Sequence, residues 1–454
     1  MCLAFLLVSY TYNDNAVITL HGMNVWSALG DGQLLHIYQY NYGASPPSPD
    51  FHAVPMVYGF LPFVLIAIWN LPLWLLQHFA DVNLFTSVVA LTWMKLVNVP
   101  FALGSAWLVN RISARLAPAS RWVPWAGFIF LTSGFLVGAV FVMGQFDVMH
   151  VFFILLGLHF LIQGRRRAFV AAFAVAIAVK FFPLFVFLPV LLLTEKRLSR
   201  ILLSLAGSLS LALALKVPFM FASNPSAKVG SDVIGQMVLG NRLPLGLEGV
   251  PVFPFLFALV CIACYLRIPA STEETYRTAV YAGFAGAAVF FLAAPAYPYW
   301  YVLLSPFFAI LCVINPDRAK VTLLVETGLT AAMIVAHQIF FYWTYDLNIV
   351  KPMILPRLFG SVDSLVHQVN PRDLYARLGV VDNRGLLAAV FAAGMVALLY
   401  LYRPRSDDEL ARVADQDTPV DRTVLYGRAA VTMALCLVPA SAYFYSLVAH
   451  GTVG

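Results

Sequence analysis

The sequence predicts an all-α polytopic membrane protein: a bundle of about 11–13 transmembrane helices with one re-entrant hairpin and a long first outer loop carrying juxtamembrane helices. Three observations predict it. Of 454 residues, 61% are hydrophobic and 11% are charged, where a soluble domain carries roughly 25% charged residues. Mean hydropathy is +0.82. Apolar runs near span length recur along the whole chain, and arginines and lysines flank them. A water-soluble enzyme is thereby excluded. The net charge of +6 needs no nucleic acid, because the cations border apolar runs and form no long basic tract. There is no P-loop and no dinucleotide-binding glycine pattern. We read residues 1–454 as a single membrane domain, without sequence repeats or a soluble module.

Met1 to Tyr10 is about half a span, lacks basic residues before its apolar stretch and has no obvious cleavage site. It reads as a first span truncated at its start or begun at an internal methionine. A first outer loop, 11–83, follows. Within it, 55–79 is apolar but carries Pro55, Pro62, Pro72 and Asn70, with Tyr58, Trp69 and Trp74. If it crossed the membrane, Arg111, Arg115 and Arg121 would fall outside, against the positive-inside rule. We therefore expect a broken helix lying at the outer surface. Segment 84–110 then runs inward and 122–143 outward. Gly144-Gln145-Phe146-Asp147 becomes a polar notch at an outer turn, and 146–163 returns to Arg165-Arg166-Arg167.

Segment 168–193 is bordered by Arg165–Arg167 before it and by Lys196, Arg197 and Arg200 after it. Both ends therefore read as cytoplasmic. Two half-helices of about 13 residues, bent at Pro183, resolve this, and irregular backbone at membrane depth requires protein or a water-filled cavity around it. Lys180 would mark the deepest point. Segments 201–220, 250–266, 278–296, 299–314, 321–343, 385–402 and 429–449 alternate as spans. Loops 221–249, 295–298 and 344–384 are outside, and 403–428 is a cytoplasmic loop.

The outward face collects the candidate chemistry. Asp14 directly follows the first apolar run and can act as general base on a hydroxyl. It can equally cap a helix over 15–29, and a cap would hold the carboxylate still. His21, seven residues on, shares its helical face and reads as a phosphate or sugar ligand or as an interfacial histidine. Asp147, with Gln145 beside it, is a ligand-facing acid or the cap of 148–163. Lys180, in an apolar hairpin, must snorkel, pair or bind; pairing with Asp14 or Asp147, or with a phosphate, is the economical choice. Lys95, mid-span, pairs with a site acid or supports a buried network. Loop 344–384 offers Arg357, His367 and Arg372 for phosphate recognition, or a solvated surface balanced by aspartates. His337 and the run Tyr297-Pro298-Tyr299-Trp300 are weaker candidates. Cys261 and Cys264 form CxxC inside an apolar run without histidine or a second pair, which argues against metal or redox work.

This layout resembles the GT-C superfamily of integral-membrane glycosyltransferases. The features carrying the resemblance are Asp14 after the first span, Pro55 to Phe79 as juxtamembrane helices, Gly144-Gln145-Phe146-Asp147 in the second outer turn, and Ala178-Val179-Lys180-Phe181-Phe182-Pro183. The last resembles the lysine–proline pattern of the polyprenol-phosphate-mannose-dependent α-mannosyltransferase branch. The resemblance implies an inverting transfer of a sugar, mannose in that branch, from a polyprenyl-phosphate donor to a lipid-linked or glycan acceptor. Asp14 would be the base, and Lys180 with a basic residue of 344–384 would hold the phosphate. No cofactor or metal is required, since a lipid phosphate is already a good leaving group. The implied setting is the bacterial plasma membrane with the active site on its outer face, with membrane lipids as surroundings. Two other readings use the same residues. One is a lipid or glycan transporter or flippase, against which stand the missing inverted repeat and the one-sided polar groups. The other is a non-catalytic membrane subunit.

Overall fold

The computed structural model describes residues 1–222, 224, 226–244, 249–347, 349–354, 370–406, 409 and 419–449. Among the described residues the chain is helical apart from one two-stranded antiparallel pair, β1 (Arg242–Leu243) with β2 (Val250–Pro251), and an isolated bridge between Thr11 and Leu347. Among the described residues, seven helices are long and apolar enough to cross a membrane by length and composition. This is the architecture of a multi-pass integral membrane protein. The expected count of about 11–13 spans is not made of full-length helices. Several expected spans are shorter apolar helices of 10–17 residues, and at 1.5 Å per residue these reach roughly 15–25 Å against a hydrocarbon core of about 30 Å.

The first elements are α1 (Cys2–Ser9), α2 (Asn13–Gly30) and a short α3 (Ile37–Tyr40). The apolar stretch 55–79 is broken into α4 (Phe60–Trp69) and α5 (Leu71–Ala80), which meet at 68°. Pro72 opens α5 and Asn70 ends α4, its side chain bonded back to the Ile66 carbonyl at 3.0 Å. Next come α6 (Val88–Leu96) and α7 (Asn98–Leu116). The expected span 122–143 is irregular: α8 (Ala126–Leu131), a break at Thr132-Ser133, α9 (Gly134–Leu136), and a π-helical turn over Val137–Val142 that runs into the Gly144 notch. π-turns inside helices often accompany functional sites. α10 (Asp147–Ile162) leaves the notch.

The 168–193 segment is two helices, α11 (Arg166–Val179) and α12 (Pro183–Thr194). Lys180 ends α11 in extended backbone, and Pro183 starts α12 at a position where its missing N–H costs nothing. Arg166 at the start of α11 pairs with Glu195 just past α12 at 2.8 Å, so the chain doubles back on itself. The bundle is completed by α13 (Leu198–Met220), α14 (Ser226–Leu239), α15 (Val252–Leu266), α16 (Thr272–Ala293), α17 (Ser305–Ile314), α18 (Ala319–Phe340), α19 (Pro371–Arg377), α20 (Arg384–Leu401) and α21 (Arg422–Ala449). α16 crosses α12 so closely that a Cβ on Gly286 would lie 2.1 Å from the Phe185 carbonyl oxygen; small residues allow such approaches between membrane helices. A buried ion pair joins α18 to α21: Arg428 donates two bonds to Glu326 and a third to Thr132 Oγ1 at 2.7 Å. Each guanidinium nitrogen and both carboxylate oxygens have a partner, as charges in this environment require.

Candidate functional site

Three chain segments bring their charges together at one end of the bundle. Asp14 lies in the first turn of α2, not before it: Tyr12 is the N-cap residue and no side chain caps the helix. The expected capping role is therefore absent, and a first-turn carboxylate gains only from the helix dipole. Asn13 instead ties α2 to the loop before α4, accepting from the His52 N–H at 2.7 Å and donating to the His52 carbonyl at 3.1 Å. Asp147 opens α10 and Lys180 closes α11. Both are buried, and Lys180 Nζ meets Asp147 Oδ1 at 2.6 Å.

Five aromatic rings surround the Lys180 ammonium: Tyr58 at 5.2 Å, Phe146 at 5.5 Å, Phe182 at 5.1 Å, Tyr299 at 5.3 Å and Trp300 at 5.1 Å from their centroids. Their faces attract the cation without offering competing acceptors. Tyr299 also joins this cage to Asp14, its hydroxyl donating to Asp14 Oδ2 at 3.4 Å. Burial pushes the Asp14 carboxyl up to about 6, opposed by the Tyr12 and Tyr299 hydroxyls and the Lys180 charge, and assisted by the charge on Asp147. Asp14 nevertheless keeps partial exposure, while Asp147 has none. Of the two acids it is the one a substrate can reach, and its protonation midpoint suits a general base near neutral pH.

The notch is built by Gly144. Its φ is +72°, and a Cβ there would meet Lys95 Cγ at 2.6 Å and Asn15 Cγ at 3.2 Å. Asn98 donates to the Gly144 carbonyl at 2.8 Å. A cavity of about 10 Å³ lies beside it, lined by Asn15, Thr19, Asn98 and Gln145 among others, a volume near that of one water. Among the described residues, Asp147 Oδ2, both amide atoms of Gln145, both ring nitrogens of His150 and Trp300 Nε1 are buried without a hydrogen-bond partner. Buried polar atoms are normally matched, so their concentration here marks a place for polar ligand or water.

The other candidates lie elsewhere. Lys95 reaches neither acid. Its ammonium shares three N–H groups among the carbonyls of Leu6 (3.1 Å), Leu7 (2.9 Å), Tyr10 (2.5 Å) and Phe141 (2.6 Å), closing the C-terminal end of α1 onto the π-turn. His21 is buried edge-on to Phe63, with ring centroids 5.8 Å apart, and burial pushes it down to about 4. It is neutral at pH 7 and offers no charge to a phosphate. His337 is buried on α18, 5.1 Å from the Tyr301 ring. Arg372 is exposed on α19. Arg357 and His367 lie outside the described residues. Cys261 and Cys264 are free thiols. Sequence reasoning did not place Tyr12 or Tyr58 at the site. The signal for Tyr12 was its position two residues before Asp14, whereas Tyr58 had none beyond its interfacial residue type.

No protein-family model matches the chain, and no curated protein matches it in sequence. Among solved structures, the crystal structure of ArnT from Cupriavidus metallidurans bound to undecaprenyl phosphate is similar at a TM-score of 0.41 and 14% identity, over 97% of this chain and 76% of that one. A likeness of this degree assigns the chain neither family nor activity.

Proposed function

We propose that the chain is a membrane glycosyltransferase of GT-C type that moves a sugar from a polyprenyl-phosphate donor to a hydroxyl acceptor. The observation that carries the reading is Tyr299, which bonds the poised Asp14 carboxylate and stacks on the Lys180 ammonium. It sets a base and a cation side by side at a cluster of unmatched polar atoms. In the proposed reaction Asp14 takes the proton from the acceptor O–H. The acceptor oxygen bonds to the anomeric carbon from the face opposite the phosphate, inverting it. The carbon–oxygen bond to the donor phosphate breaks, and its electron pair stays on the phosphate. Lys180 faces the charge that grows there, a preorganised electrostatic role. Asp147 holds the lysine in place.

The reading invokes no metal, because the lysine supplies the cation. Mannose as the sugar, a lipid-linked or glycan acceptor, and an active site on the non-cytoplasmic face of a bacterial plasma membrane belong to the same proposal. They rest on the sequence resemblance and the charge pattern. The test uses the purified full chain in lipid with labelled polyprenyl-phosphate sugars and candidate acceptors. Transfer with the mannose donor, lost in a folded Asp14→Asn variant, is expected. Unchanged transfer in Asp14→Asn would overturn the assignment of the base. No transfer from any polyprenyl-phosphate sugar would overturn the function.

A further inference from the structure

A second site lies at the other end of the bundle. α7 and α10 both start at the Asp147 cluster, where Asn98 contacts Gly144, and both end at a cavity of about 640 Å³. Arg111, Arg115, His159, Gln163, Thr272 and Tyr276 line it. The first four are 12–17 positions on from the starts of α7 and α10, so the cavity is roughly 18–25 Å from the acids; Thr272 and Tyr276 come from α16. It shares no residue with the site described above.

We propose that this cavity binds the phosphate headgroup of an anionic membrane lipid. Charge and depth both point there. Arg115 is held by Glu273 at 3.0 Å, with both side chains well exposed, whereas the Arg111 guanidinium rests on the Trp107 ring at 5.4 Å from its centroid. Stacking on a ring leaves the edge of a guanidinium open to a bidentate oxyanion. His159 and Gln163, bonded to each other at 2.8 Å, add donors on the facing helix. Trp107 is 52% exposed and Leu103 is 56% exposed. Leu103, Trp107 and Arg111 are spaced by four and form one stripe along α7. The stripe reads, in order, as acyl chain, interface and headgroup: an apolar face, a tryptophan of the kind that anchors at the membrane surface, then a cation. Basic pockets between membrane helices are recognised lipid-headgroup sites. A soluble phosphate would use the arginines but not the apolar stripe leading to them.

The experiment is native mass spectrometry of the full chain, released from nanodiscs holding equal parts of dioleoyl-phosphatidylglycerol and dioleoyl-phosphatidylcholine. Retention of phosphatidylglycerol over phosphatidylcholine is expected. Retention should fall about thirtyfold in Arg111→Gln/Arg115→Gln and stay unchanged in Arg403→Gln, a basic residue elsewhere on the surface. If the double variant does not fold, Arg111→Gln alone breaks no ion pair seen here and should still show a several-fold loss. Equal retention of the two lipids, or unchanged retention in the arginine variants, would overturn the proposal. Displacement of the bound lipid by millimolar inorganic phosphate would show a soluble-anion site and overturn the lipid assignment.

Discussion

Separating Lys180 from Asp147 tests whether the site is held by a true buried ion pair. At 2.6 Å, and with the effective dielectric of about 20 that suits protein sites, their attraction is about 6 kcal/mol. Desolvating the two ions costs several kcal/mol each, so the intact pair contributes little net stability relative to apolar residues. Removing one partner is different, because it strands the other. Lys180→Met leaves a carboxylate whose Oδ2 already has no partner, supported only by the start of α10. Asp147→Asn leaves an ammonium supported by the five rings and the more distant Asp14 charge. Each single change is expected to cost about 3 kcal/mol, near the lower end of the range for such breaks. The double variant should cost less than the sum by about 2 kcal/mol or more. SDS-driven unfolding in mixed micelles measures all four proteins. Single losses below about 1 kcal/mol that simply add in the double variant would refute the pairing and the cation–anion logic built on it.

Other predictions follow from neighbouring residues. The Asp14 carboxyl binds its proton more tightly folded than unfolded, so between its ordinary value near 4 and its native value of about 6 the stability it contributes falls as pH rises. If Asp14 is the base, transfer should rise with pH through about 6 as its carboxyl gives up the proton, and Asp14→Asn should make the protein no less stable at pH 7; a flat profile in the native chain would contradict this. Gly144→Ala combines a positive φ with a contact to the buried Lys95 side chain and should cost about 1–3 kcal/mol in the same unfolding assay. Lys95→Met removes the ammonium that four carbonyls share and should release α1, seen as faster amide exchange over residues 2–10, whereas a catalytic lysine would show lost turnover with exchange unchanged.

Much of the frame was legible because charge in an apolar chain is expensive and is therefore informative. Basic residues on both sides of 168–193 indicated a segment that doubles back, and the Arg166–Glu195 contact joins its two ends. The prolines of 55–79 indicated a break, and α4 and α5 meet at 68°. Asp147 and Lys180 stood out as charges needing partners, and they found one another. What stayed hidden was what no residue type encodes. Lys95 is satisfied by main-chain carbonyls, which every sequence has everywhere. The cage around Lys180 draws Tyr58, Phe146, Phe182, Tyr299 and Trp300 from separate segments, and only tertiary packing joins them. His21 shares the helical face of Asp14, but that face turns at its far end into the apolar contact with Phe63. Arg111 was legible only as a topological marker, since the cavity it lines is made by three helices meeting.

In the proposed reaction a lipid phosphate docks on Lys180 next to Asp14. Cryo-electron microscopy of the full chain in a nanodisc with polyprenyl phosphate tests it most directly. Phosphate density within about 3 Å of Lys180 Nζ is expected, with Asp14 facing the side from which the sugar's acceptor would arrive. Phosphate density elsewhere, with the Lys180–Asp147 pair and its ring of aromatics undisturbed, would contradict it.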